Sequence, residues 1–164
     1  MATWRALAPG AAYEQALAAA TRRAEHVEDL DLHWYVHATL VTPAFQQAFA
    51  AEYGAVYGPA ARAPELSLNG DRTIVLAVAA NDAAASELPA YGKTWTLAYA
   101  DGATAVAPRR IEKYEPDALF MRYFFPYWNP WQAIYRVSFP LPATGTTGGR
   151  LDVSGVGGRI RLAW

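Results

Sequence analysis

Met121-Arg122-Tyr123-Phe124-Phe125-Pro126-Tyr127-Trp128-Asn129-Pro130-Trp131-Gln132-Ala133-Ile134-Tyr135-Arg136-Val137-Ser138-Phe139-Pro140 changes character half-way along. The first half crowds Tyr123, Phe124, Phe125, Tyr127, Trp128 and Trp131 around Pro126 and Pro130. The second half sets Ala133, Tyr135, Val137 and Phe139 on one side of a two-residue repeat, the period of a strand. Pro140 and Pro142 end that strand, since proline gives a ladder no N–H donor.

The same period recurs on both sides. Downstream, a small-residue turn from Thr144 to Gly149 leads to Leu151-Asp152-Val153. Ser154 to Gly158 turns the chain again, and Arg159 to Trp164 closes it with Ile160, Leu162 and Trp164 inward and Arg159 and Arg161 outward. Upstream, Asp101-Gly102 suits the positive-φ positions of a tight hairpin turn. Trp95, Leu97 and Tyr99 make the inward face of its first arm, and the second arm runs to about Tyr114 despite Pro108, as an edge or a bulge. Glu115 to Trp131 is then the aromatic loop. Thr73 to Ala80 is a mostly apolar run whose length suits a central strand buried on both faces. Asn81 to Gly92 is an Ala-rich excursion without assignment, and Ala60 to Asn69 is a loop.

Nearer the N-terminus, Leu32, Trp34, Val36, Ala38 and Leu40 alternate with His33, Tyr35, His37 and Thr39, which predicts an antiparallel strand with one wetter face. Thr42-Pro43 supplies an N-cap and a first-turn proline. The helix that follows carries Phe45, Phe49, Tyr53, Val56 and Tyr57 on one stripe and stops at Gly58-Pro59. Tyr13, Leu17, Ala20, Ala24 and Val27 form a stripe of the same kind, predicting a helix from Ala11 to Glu28. Its acidic end, Glu28-Asp29, opposes the helix dipole and leaves that boundary open. About seven strands with short turns in the second half predict a mainly β fold, an immunoglobulin-like antiparallel sandwich. An N-terminal helix and a second short helix after the first strand are added to it, with residues 1–164 as one domain.

Composition narrows the function classes. The 164 residues are 53% hydrophobic, 13% aromatic and 18% charged, which describes a chain able to bury a core. A formal net charge of −1 offers no positive field for nucleic acid or an anionic membrane. No cysteine is present, so disulfides, thiolate metal sites and cysteine nucleophiles are excluded. No apolar run approaches the ~20 residues of a spanning helix. The N-terminus lacks the charged and apolar regions of a signal peptide, so the protein is cytoplasmic or an export signal has been removed.

Candidate sites follow. His33 and His37 resemble a metal pair, but on a strand four residues separate them by ~13 Å, too far to grip one ion together. Ser138 and Ser154 lack the Gly-x-Ser-x-Gly elbow of a serine hydrolase. Glu112, Glu115 and Asp117 crowd the approach to the aromatic loop. Sugar hydrolysis needs two such acids facing across a cleft, whereas acids in a charged loop are ordinarily just solvated. The glycines at 145–149 and 155–158 fit hairpin turns and lack the Lys-Ser/Thr terminus of a phosphate loop. Arg136, Arg150, Arg159 and Arg161 suit a salt-bridged outer face better than a nucleic-acid groove. The aromatic loop stands out. Tyr123, Tyr127, Trp128 and Trp131, held by two prolines, either plug the end of the sandwich or offer rings to a sugar or a partner protein. No cofactor or metal is expected.

Three stretches together carry a resemblance. Tyr13-Glu14-Gln15-Ala16-Leu17 opens a helix containing Thr21-Arg22; His37-Ala38-Thr39-Leu40-Val41-Thr42-Pro43-Ala44-Phe45 runs from strand into helix; Phe125-Pro126-Tyr127-Trp128-Asn129-Pro130-Trp131 precedes Ile134 to Pro140. This arrangement resembles a family of uncharacterised bacterial proteins, often labelled lipoproteins, from deltaproteobacteria-like genomes. The resemblance implies a place in the cell envelope, periplasmic or held by a lipid anchor that this chain does not show; together with the lack of a catalytic constellation it leads to the expectation of a non-enzymatic binding or assembly module. An envelope protein or polysaccharide is the implied partner, and no active-site residues transfer. Two alternatives stay open: an enzyme on envelope polysaccharide using the loop carboxylates beside the aromatic platform, and a structural subunit of a larger assembly.

Overall fold

The computed structural model describes residues 7–28, 31–80, 95–143, 148–155 and 158–164, with the side chains of 28 and 31–33 excepted. The excursion predicted from Asn81 to Gly92, residues 144–147 of the Thr144–Gly149 turn and residues 156–157 of the Ser154–Gly158 turn lie outside the described residues, as does the side chain of His33. Nine strands and three helices are described: α1 (Ala11–Ala20), β1 (Thr21–Glu28), β2 (Asp31–Val41), α2 (Pro43–Tyr57), β3 (Asp71–Ala80), β4 (Trp95–Ala100), β5 (Ala105–Val106), β6 (Arg110–Lys113), α3 (Ala118–Phe124), β7 (Ala133–Pro142), β8 (Arg150–Gly155) and β9 (Gly158–Ala163). They form a five-stranded sheet of order β1-β2-β3-β7-β6 and a four-stranded sheet of order β5-β4-β8-β9. Every pairing is antiparallel.

The mainly β expectation therefore holds, with two antiparallel sheets. Their inner faces meet: Val36, Leu76 and Phe139 of the first sheet share one core with Trp95, Leu97 and Val153 of the second. The immunoglobulin strand order does not follow. The first three strands are side by side in one sheet, whereas an immunoglobulin domain puts its second and third strands in opposite sheets.

A second core covers the outer face of the five-stranded sheet. Val75, Ala77 and Ile134 project outward beneath Tyr13 and Leu17 of α1, Phe45 and Phe49 of α2, and Phe120 and Phe124 of α3. β3 is thus covered on both faces, with all of Asp71–Ala79 buried, which is why its sequence is a continuous apolar run rather than an alternation. Fully burying one such ring contributes about 1.5–3 kcal/mol, so this helical layer is a core in its own right.

Local signals set several boundaries. Thr42 Oγ1 accepts from Phe45 N at 3.1 Å with Pro43 in the first turn of α2. Gly58, at φ 101°, takes the chain out of that helix. β7 continues through Pro140 and Pro142 because β6 stops pairing at Ser138, leaving that side without a ladder to interrupt.

Three expectations need correction. The first helix ends at Ala20, and Thr21–Glu28 is a strand paired with β2, Thr21 opposite Thr39. Ala24 fits either period, and the gain from an edge pairing with β2 outweighs a stripe continued by Val27, which is 52% exposed. The second hairpin arm is also not one strand. β5 ends at Val106, the chain passes Pro108, and β6 joins the opposite sheet beside β7, starting with Arg109 N donating to Ser138 O at 2.7 Å. Lastly, the aromatic segment is not all loop. Asp117 Oδ1 accepts from Leu119 N and Phe120 N, each at 3.0 Å, and starts α3 inside it.

Candidate functional site

The aromatic segment packs on the outer face of the five-stranded sheet among the helices, not across the end of the sandwich as a plug would. From Phe125 to Gln132 it is tied by its own polar groups. Trp128 N donates to Phe125 O at 2.9 Å and Gln132 N to Asn129 O at 3.0 Å. Asn129 Oδ1 accepts from Trp131 N at 3.0 Å, and Gln132 Oε1 accepts from Asn129 N at 3.2 Å. The Trp128 indole N–H is held by Gln132 O at 3.3 Å. Pro126 and Pro130 restrict the remaining freedom.

Beside this turn lies a cleft of about 410 Å³ lined by Trp128, Pro130, Trp131 and Gln132 on one side and Lys113, Tyr114, Glu115 and Pro116 on the other, with Met121, Ala133 and Ile134 completing it. Trp131 is 85% exposed, the most open large apolar side chain among the described residues. Trp128 is half-buried and shares the cleft with it.

The other two predicted residues sit elsewhere. Tyr127 lies flat on His37, ring centres 4.6 Å apart at 15°, and its hydroxyl meets Thr39 Oγ1 at 2.8 Å, which meets Thr21 Oγ1 at 2.9 Å. Burial pushes the Tyr127 phenol up, against the opposing effect of the Thr39 hydrogen bond. Tyr127 and Pro126 face a second cleft of about 410 Å³ shared with Glu14, Leu17, Ala18 and Thr21. Tyr123 belongs to the helix junction: its hydroxyl donates to Glu52 Oε1 at 2.6 Å.

The carboxylates do not make a facing pair. Glu115 alone among them lines the cleft, and it is bound to Lys113 Nζ at 2.8 Å on the open rim. Glu112 is paired with Arg110 at 2.9 Å and with Arg136, whose guanidinium lies 5.0 Å over the Tyr114 ring. Asp117 is occupied in capping α3. Two acids across one sugar are therefore not what this cleft presents. Among the described residues no group of three or more His, Asp or Glu is placed to hold a metal.

His37 is held instead by Gln132, whose Nε2 is 3.0 Å from Nδ1, and it meets Tyr35 edge-on at 6.0 Å. Burial, and then the charge of Arg23, hold its pKa below the ordinary value. Of the four arginines read as an outer face, Arg150, Arg159 and Arg161 converge on Asp152 at 3.3, 3.7 and 2.7 Å, while Arg136 belongs to the other sheet. Gln132, Asn129 and Tyr114 were not singled out by sequence. The available signal was Asn129-Pro130, a turn dipeptide whose side chain bonds its own backbone two residues on.

No family model, curated protein or solved structure matches the chain. No helix among the described residues is long and apolar enough to cross a membrane.

Proposed function

We propose that the protein is a non-enzymatic binding or assembly module of the bacterial cell envelope whose contact surface is the cleft beside Trp131. The observation that carries this is Trp131, 85% exposed on a turn whose backbone N–H groups from Trp128 to Gln132 are all bonded within it. An exposed ring carried on a held backbone meets a partner with less entropy left to lose, one of the properties that make tryptophan a frequent anchor at interfaces. Lys113 and Glu115 on the opposite rim add polar groups that fix orientation. The envelope setting rests on the sequence resemblance, and the partner is an envelope protein or polysaccharide.

The test is co-sedimentation of Trp131→Ala with bacterial envelope fractions, one rich in polysaccharide and one in membrane protein. An anchor residue removed in this way should cost about 2 kcal/mol, or about 30-fold in affinity, with thermal stability unchanged. Equal binding by wild type and variant would place the contact elsewhere. Release of soluble sugar from the polysaccharide fraction, abolished in Glu115→Gln, would support the enzyme reading instead.

A further inference from the structure

We propose that His37 is a proton-operated latch beneath the cleft: a proton taken up on Nδ1 loosens the Asn129–Gln132 turn and weakens the surface that Trp131 presents. The consequence for binding rests on the function proposed above; the latch itself does not.

The polarity of the contact is fixed by a neighbour. The backbone N–H of Asn129 is a donor only, so the Gln132 atom facing it at 3.2 Å is the carbonyl oxygen, Oε1. The atom facing His37 Nδ1 at 3.0 Å is therefore the amide nitrogen, which also only donates. Nδ1 accepts, and the neutral ring carries its proton on Nε2. A proton on Nδ1 puts two donors face to face. If the Gln132 amide then turns over to offer its oxygen to the imidazolium, it turns its nitrogen to Asn129 N–H and loses that bond instead. Either way Gln132 gives up one hydrogen bond, to β2 or within the turn.

Gln132 is 5% exposed, so water does not readily replace the lost partner. The disturbance has a short way to travel. Gln132 O holds the Trp128 indole, and Asn129 Oδ1 holds the backbone of Trp131. The Asn129 side-chain nitrogen also donates to Tyr35 Oη at 2.5 Å, fastening the same turn to β2.

Among the described residues the charged neighbour of His37, Arg23, opposes its charging. On β1, Arg23 is directly opposite it, and the nearby acid, Glu25, is already bound to Arg23 at 2.9 Å. On β3 the opposite residue is Ala77, which carries no charge. Tyr35 on β2 and Tyr127 and Gln132 on the turn bring no carboxylate or cation; the Tyr127 ring face gives an imidazolium a weak cation–π attraction. The latch is closed at neutral pH and opens on acidification, at a pH below the ordinary histidine value.

Backbone hydrogen exchange of Asn129, Trp131 and Gln132, corrected for intrinsic rates, tests this at about pH 7.5 and about pH 5 in wild type and His37→Gln, whose amide oxygen can still accept. The expected result is an acid loss of protection of about tenfold or more in wild type and none in the variant. Protection in wild type that does not change with pH, or the same acid loss in His37→Gln, overturns the latch. Should His37→Gln not fold, wild type decides alone: the loss of protection must share its midpoint with the NMR titration of His37, and a separate midpoint refutes the latch. Envelope-fraction binding at the two pH values is a distinct readout. Acid loosening in a protein that binds no fraction at either pH leaves the latch standing and fails the binding proposal.

Discussion

The Tyr13 hydroxyl donates to the Phe124 carbonyl oxygen at 2.5 Å, inside the helical core and across 111 positions of sequence. Phe124 closes α3, and a carbonyl in the last turn of a helix has no partner within it. Tyr13, on α1 and 2% exposed, supplies that partner while its ring meets Phe124 edge-on at 5.9 Å. Tyr13→Phe keeps the ring and strands the carbonyl, so it should cost about 1–3 kcal/mol; Tyr13→Ala also opens a cavity and should cost about 3–5 kcal/mol. Urea unfolding of the two variants checks this, and a Tyr13→Phe midpoint equal to wild type would mean that the bond contributes nothing.

Gly149 is required by a neighbour and not by its backbone angles. A Cβ there would fall inside contact distance of the hydroxyl and ring of Tyr99, which is fully buried and donates to Gly148 O at 3.3 Å. Trp164 N bonds Gly149 O at 2.9 Å, so the segment is held from its other side as well. Gly149→Ala should lose about 2 kcal/mol or more through overpacking. In a Tyr99→Leu background the same change should cost clearly less, and a double-mutant cycle by chemical denaturation shows the difference. Additive losses would contradict the contact.

The parts of this fold legible in sequence are those where a local rule and the tertiary arrangement agree. Thr42-Pro43 says strand end and helix start, and both follow. The apolar run in β3 says two covered faces, and two cores cover it. Elsewhere one sequence suits two structures. Ala24 satisfies a helical stripe and a strand equally, so only pairing with β2 reveals the change at Thr21. Pro108 announces an interruption but not that the chain changes sheets there. In the site, the aromatic richness that singles out Tyr123, Tyr127, Trp128 and Trp131 also masks a helix, and within it Tyr123 lies at the helix junction, away from the cleft. The Gln132–His37 contact joins residues 95 positions apart, and no period of the sequence encodes it.

Tyr123 gives a pH-dependent observable. Burial, and next the hydrogen bond to Glu52, push its phenol up to about 12. The folded form therefore keeps a proton that the unfolded chain, with an ordinary value of 10.0, releases first. The resulting stability is whole below pH 10.0 and declines as pH rises toward about 12. Glu52→Gln keeps an acceptor for the hydroxyl but removes the negative charge, so Tyr123 should ionise at lower pH. Ultraviolet titration of the phenolate in wild type and Glu52→Gln, with Tyr123→Phe to assign the signal, reads this. An unchanged midpoint in Glu52→Gln would mean that the carboxylate has no influence.

Asp152 holds together the outer face of the four-stranded sheet. It sits on β8, opposite Arg161 of β9, with Arg150 and Arg159 close by. Burial alone would raise its carboxyl, but the hydrogen bond and charge of Arg161 and the charges of Arg150 and Arg159 outweigh that and hold it below the usual range. For a depressed carboxylate the unfolded chain takes up protons first. The stabilisation is therefore complete above the ordinary value of 3.8 and is lost as pH falls through the folded value. The arginine side chains are 39–64% exposed, so solvent screens much of the attraction. Asp152→Asn, which leaves three cations to repel one another, should cost about 1–2 kcal/mol at neutral pH, below the 3–5 kcal/mol of a fully buried broken pair. Raising the salt to about 0.5 M should narrow the gap between variant and wild type, because the repulsion is screened over a few ångströms. Urea midpoints at neutral pH and about pH 3, at low and high salt, separate these effects. A variant that matches wild type at neutral pH and low salt would show that the three arginines are accommodated without Asp152.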